Sequence, residues 1–205
     1  MMRIMQRDLE LMRWANDCGF VTTEQIRRRL AVARSTAYER VYKLVQRRLL
    51  IHERVFHHQP GVYRVTAEGV RVCESPLSSL RRLSIGSFQH DLQVIDLSLS
   101  LYERWGGQFV TERQLRHQSG RHGVGNAGHL NDGLLVLPDK CVAIEVELSA
   151  KGKSRLERIF EHHYQNTKVD ETWYFCGDGS IQRLIRTFAE KVNFIQVHLL
   201  DEFLG

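Results

Sequence analysis

The sequence predicts an α+β protein of two domains: a small helix-rich domain closed by a β-hairpin, then an α/β domain of alternating strands and helices. Three observations carry this. Apolar residues recur at helical spacing in the first third and then give way to β-type runs. Charge is uneven: residues 1–75 hold 14 Lys and Arg against 8 Asp and Glu, a net of +6, while residues 76–205 hold 15 against 16, a net of −1. Between the two, CESPLSSLRRLSIGS carries several serines with Pro76 and Gly86, which reads as a linker. The expected boundaries are a first domain over 1–75, a linker over 76–87 and a second domain over 88–205.

Composition narrows the class. At 42% hydrophobic and 26% charged residues, the chain is globular and not disordered. No apolar run reaches the roughly 20 residues that span a bilayer. The start, MMRIMQRDLELMRW, is broken by charge every few residues and has no signal-peptide core. A cytoplasmic protein with no membrane partner is therefore expected. Cys18, Cys73, Cys141 and Cys176 are far apart and form no CxxC pair, so they read as small buried hydrophobes.

In the first domain, Arg7–Asp17 reads as a helix with Leu9, Met12 and Ala15 on one face. Thr22 or Thr23 can cap a second helix through Leu30. Ser35 is expected to cap a third, STAYERVYKLVQRRL, striped by Ala37, Val41, Leu44 and Val45. Two β-type runs, Leu50–Phe56 and Val62–Thr66, flank a turn with Pro60 and Gly61. This stretch resembles the winged helix-turn-helix superfamily. The resemblance implies a third helix lying in the major groove of double-stranded DNA. Arg34, Ser35, Thr36, Tyr38, Glu39, Arg40 and Lys43 would then sit on or near its DNA-facing surface. Arg27, Arg28 and Arg29, with His57 and His58 at the wing tip, would meet phosphates.

The second domain reads α-β-β-β-α-β-α-β. FQHDLQVIDLSLSLYERW is a helix and QFVTERQLR a strand; DGLLVL and VAIEVELS are strands. A helix over Ser154–Gln165 follows, then TWYFCG, a helix over Ile181–Val192, and NFIQVHLL. The loop before DGLLVL contains GVGNAG, but no strand precedes it and no helix follows, so a dinucleotide site is not expected. It reads instead as a mobile, substrate-facing loop over 118–128.

The strand Val142–Ser149 poses a chemical question. Its alternation puts Ala143, Glu145, Glu147 and Ser149 on one face. A four-residue connection at Leu137–Lys140 would place Asp132 directly opposite Glu145, and a slip of one residue would undo this. Buried carboxylates need a cation. Asp132, Glu145 and Glu147 at one end of a hairpin suit Mg²⁺ or Mn²⁺, and Lys151 and Lys153 follow where an ammonium reaches phosphate.

Asp132 followed by Glu145-Val146-Glu147 in this element order resembles the PD-(D/E)XK nuclease superfamily, a restriction-endonuclease-like fold. The resemblance implies that Asp132 and Glu145 bind metal, with the Val146 carbonyl as a third ligand. Glu147 stands where the usual Lys stands, leaving Lys151 or Lys153 to serve. With the winged helix, QHDLQVIDL, HLNDGLLVLPD and AIEVELSAKGKSRLERIFEHHY resemble the replication-relaxation family of plasmids and other mobile elements. Some of its members are mobilisation relaxases that nick DNA.

Two functions are consistent with this reading. One is a DNA nickase or nuclease with catalytic Asp132, Glu145, Glu147, Lys151 and Lys153. The other is a DNA-binding regulator of replication or transcription, its nuclease-like domain inactive and used for dimerisation or partner binding. A homodimer is expected in both, with the replication or transfer machinery as a further partner.

Overall fold

A computed structural model describes residues 4–120, 129–190 and 192–204. The GVGNAG segment, and with it residues 121–128 of the loop expected over 118–128, lies outside the described residues. The fold is mixed α+β, with nine helices and two sheets among the described residues. The chain divides into two compact units, one through Ile95 and one from Asp96 on. No described helix is long and apolar enough to cross a membrane.

The first unit begins with α1 (Gln6–Cys18), β1 (Val21–Thr22), α2 (Thr23–Leu30) and α3 (Arg34–Gln46). It continues with β2 (Leu50–Glu53), β3 (Val62–Val65) and α4 (Ala67–Cys73). β3 lies between β1 and β2, antiparallel to both. Leu11, Met12, Ala15, Ile26, Ala37, Val41, Leu44 and Val65 make the core, so the stripe expected on the third helix is the buried one.

Local chemistry sets the boundaries. Thr22 caps α2: its hydroxyl accepts from the Gln25 amide while the Gln25 side chain accepts from the Thr22 amide. The third helix starts one residue before Ser35. Ala33 is its N-cap, without a side-chain bond, so Ser35 lies inside the first turn and does not cap it. Gly61 packs against the His52 ring: a Cβ there would lie 2.1 Å from its Nε2, so the imidazole would have to move.

The stretch expected as a linker is packed onto this unit. Leu77 is buried. Asn16 donates to the Leu77 carbonyl at 2.8 Å, and the Arg64 guanidinium, clamped on Glu53, also donates to the Leu80 carbonyl.

In the second unit α5 (Phe88–Trp105, which starts in the first) leads to β4 (Gln108–Thr111), α6 (Glu112–Gln118), β5 (Gly133–Val136) and β6 (Cys141–Glu147). Then come α7 (Lys153–Gln165), β7 (Glu171–Cys176), α8 (Gly179–Ala189), β8 (Ile195–Leu199) and α9 (Asp201–Leu204). The sheet order is β4-β5-β6-β7-β8. The first three strands are antiparallel and the last three parallel, as the α7 and α8 crossovers require.

QFVTERQLR is not one strand. It breaks at Thr111, which caps α6 through a reciprocal pair with Gln114. The capping box ends the strand because a helix amide takes the hydroxyl.

Candidate functional site

β6 is the middle strand and is buried on both faces. Glu145 pairs across to Tyr174 and Glu147 to Cys176, and both partners belong to the core beneath α7 and α8. The glutamates therefore point toward α7. Gly133 pairs with Ile144, so Asp132, one residue back, falls opposite Glu145, as the four-residue turn requires. Asp132 Oδ2 accepts the Val146 amide at 2.7 Å. Gly133 is closely packed: a Cβ there would lie 2.3 Å from the Phe109 ring and 3.1 Å from the Val110 carbonyl oxygen.

Each glutamate meets a nitrogen of another side chain. Glu145, 1% exposed, lies 2.7 Å from Nε2 of His129. Burial pushes the Glu145 carboxyl up to about 7, against the pull of His129. Burial opposes a charge on His129, but the hydrogen bond and charge of Glu145 outweigh it and raise its pKa above the ordinary value. Glu147 is ion-paired with Lys151.

A second imidazole completes the cluster. His163 of α7 is 2% exposed, and its Nε2 lies 2.7 Å from the Tyr174 hydroxyl. Burial, with the nearby charges of His129, His162 and Lys151, lowers its pKa to about 3. It is neutral at physiological pH. His129, Glu145 and His163 bring their ligand atoms within 4.8 Å of one another.

A cleft of about 760 Å³ opens beside His129, lined by Glu112, Arg116, Arg155, Arg158, His162 and others. Arg116 is paired with Glu112, while Arg155 and Arg158 project from the exposed side of α7.

Of the residues expected here, Asp132, Glu145, Glu147 and Lys151 come together. Lys153 does not: it opens α7, its side chain is 80% exposed, and its ion-pair partner is Glu157. His129 and His163 were not expected beside these carboxylates. The signal for His163 was present, since it continues the stripe of Leu156, Ile159 and Phe160 on α7, where a polar residue needs a reason.

In the first unit Arg34, Ser35, Thr36 and Tyr38 are exposed on the first turns of α3. Tyr42, one turn on, is 59% exposed and adds to that face. Arg28 is half-buried, and Arg27 is bound through its guanidinium to Glu24. Lys43 is paired with Glu39. His57 and His58 are exposed in the β2–β3 loop, with ring centroids 4.7 Å apart. Arg40 is not on the outer face. Its Nε lies 2.5 Å from the buried Asp8 carboxylate, so packing on α1 withdraws it from solvent.

No family model, curated protein or solved structure significantly matches this chain.

Proposed function

We propose that the protein binds double-stranded DNA through α3 and nicks or cleaves it at a metal-dependent site centred on Asp132 and Glu145. One observation carries the reading: Asp132 falls opposite Glu145 in the β5–β6 register, and His129, the partner of Glu145, lines a cleft walled by Arg116, Arg155 and Arg158. Guanidinium groups take phosphate oxygens. A cation on the two acids would activate water and stabilise charge on the scissile phosphate. Asp132 and Glu145 offer the oxygens that Mg²⁺ and Mn²⁺ take, and His129 is the partner that such an ion displaces from Glu145.

Three helices followed by a hairpin, with β3 central in its sheet, support a winged helix-turn-helix reading of the first unit. The mixed sheet with its α7 and α8 crossovers supports a PD-(D/E)XK-like reading of the second. A relaxase-like protein of a plasmid or other mobile element, working as a homodimer on two half-sites, fits both. A second reading, a DNA-binding regulator with an inactive nuclease-like domain, is favoured by one observation. Glu145 and Glu147 already have protein partners in His129 and Lys151.

Supercoiled plasmid incubated with wild type and with Asp132→Asn, in Mn²⁺ or Mg²⁺, separates the two. Nicking by wild type that disappears in the variant supports the enzyme. Duplex binding with no nicking in either metal supports the regulator.

A further inference from the structure

We infer that His129, Glu145 and His163 form a binding site for a borderline transition-metal dication of the Zn²⁺ and Co²⁺ class. The site shares Glu145 with the proposed cleavage centre but depends on no DNA chemistry.

Four features support it. The donor set is two imidazoles and one carboxylate, a combination that zinc takes with a fourth position left open. Oxygen-seeking Mg²⁺ does not prefer such a set, whereas imidazole suits the later first-row metals. The ligand atoms already lie within 4.8 Å of one another, and they come from the segment ahead of β5, the middle of β6, and α7.

His163 is the most telling member. Its Nε2 is engaged by the Tyr174 hydroxyl at 2.7 Å, while its Nδ1 is buried and has no hydrogen-bond partner. A buried imidazole nitrogen without a partner is costly unless something fills its lone pair. Metal-bound histidines are held by a second group on the other ring nitrogen, which fixes the tautomer. Tyr174 stands in that position: if Nε2–H donates to its oxygen, the Nδ1 lone pair is left for an ion. Access is provided by the cleft, which His129 lines.

The test is titration of the purified full chain with Co²⁺, read by its visible ligand-field absorption and repeated in competition with Zn²⁺. Wild type is expected to bind. His129→Ala and His163→Gln are expected to abolish the spectrum, with circular dichroism showing each still folded. Tyr174→Phe should weaken binding by about 10–100-fold, and Asp132→Asn should retain it. His129, partly exposed, and Tyr174→Phe, nearly isosteric, decide the matter even if His163→Gln does not fold. Binding lost in Asp132→Asn but kept in the His129 and Tyr174 variants would assign the ion to the carboxylates alone and overturn the proposal, leaving the cleavage reading intact. Absence of Co²⁺ and Zn²⁺ binding by a wild type that nicks DNA with Mn²⁺ would overturn it equally.

Discussion

Nε2 of His129 lies 2.7 Å from Oε1 of Glu145, and the acid is the more buried of the two. Both groups hold protons more tightly than in an unfolded chain: burial lifts Glu145 to about 7, and Glu145 lifts His129 in spite of burial. Asp132 and Lys151 also act on the pair.

The sign of the pH dependence follows. The folded state binds more protons than the unfolded state from about pH 4.5 upward, so stability falls as pH rises through 7. The loss from Glu145 is on the order of a few kcal/mol. In Glu145→Gln that loss is absent, and His129 loses the hydrogen bond and charge that raise its pKa, leaving burial as the largest influence on it. Denaturant midpoints at a series of pH values should fall with pH in wild type and flatten in the variant. Equal slopes in both would count against the shared proton.

Arg40 and Asp8 form a buried ion pair, with side chains 13% and 0% exposed. Asp8 also accepts the Met5 amide at the start of α1. Arg40→Ala leaves a buried carboxylate uncompensated, which costs about 3–5 kcal/mol. Hydrogen exchange in α1 and α3 should accelerate accordingly, and Asp8→Ala added to Arg40→Ala should recover part of the loss. A change below about 1 kcal/mol would show that water, not Arg40, satisfies Asp8.

Arg34 contrasts with Arg40, since it is exposed at the start of α3. Arg34→Ala should weaken duplex binding by about 1–3 kcal/mol at fixed salt while leaving thermal stability nearly unchanged. Fluorescence anisotropy across a salt series measures both the loss and the change in salt slope. Unaltered affinity would remove α3 from the DNA interface.

Thr111 ends β4 and caps α6, one wall of the arginine-lined cleft. Thr111→Ala should cost about 1 kcal/mol. It should also loosen Glu112 and Arg116, seen as faster amide exchange confined to α6. No change in that helix would show the cap to be redundant.

Much of this was legible in sequence because it depends on local period. Strand alternation and a four-residue turn were enough to place Asp132 opposite Glu145. Helical spacing gave the buried stripe of α3. What was missed depends on tertiary contact or on short-range capping. Arg40 looks exposed by period, but α1 brings Asp8 to it. The T-E-R-Q box that starts α6 was written in the sequence, but the β-type run before it masked the change of period. His163 joins the site only because α7 crosses over β6 and β7, a packing that no local pattern specifies. The protein partners of the two glutamates, His129 and Lys151, likewise depend on where loop and helix converge.

The most direct test of why β6 carries buried carboxylates is calorimetric titration of Mn²⁺ into wild type and into Glu145→Gln at neutral pH, with proton release followed in buffers of different ionisation enthalpy. Binding by wild type with release of a proton, and no binding by the variant, is the expected result, because an ion must displace the proton shared by Glu145 and His129. Absence of heat in both proteins, or identical binding in both, would mean that these carboxylates serve only their ion pairs with His129 and Lys151.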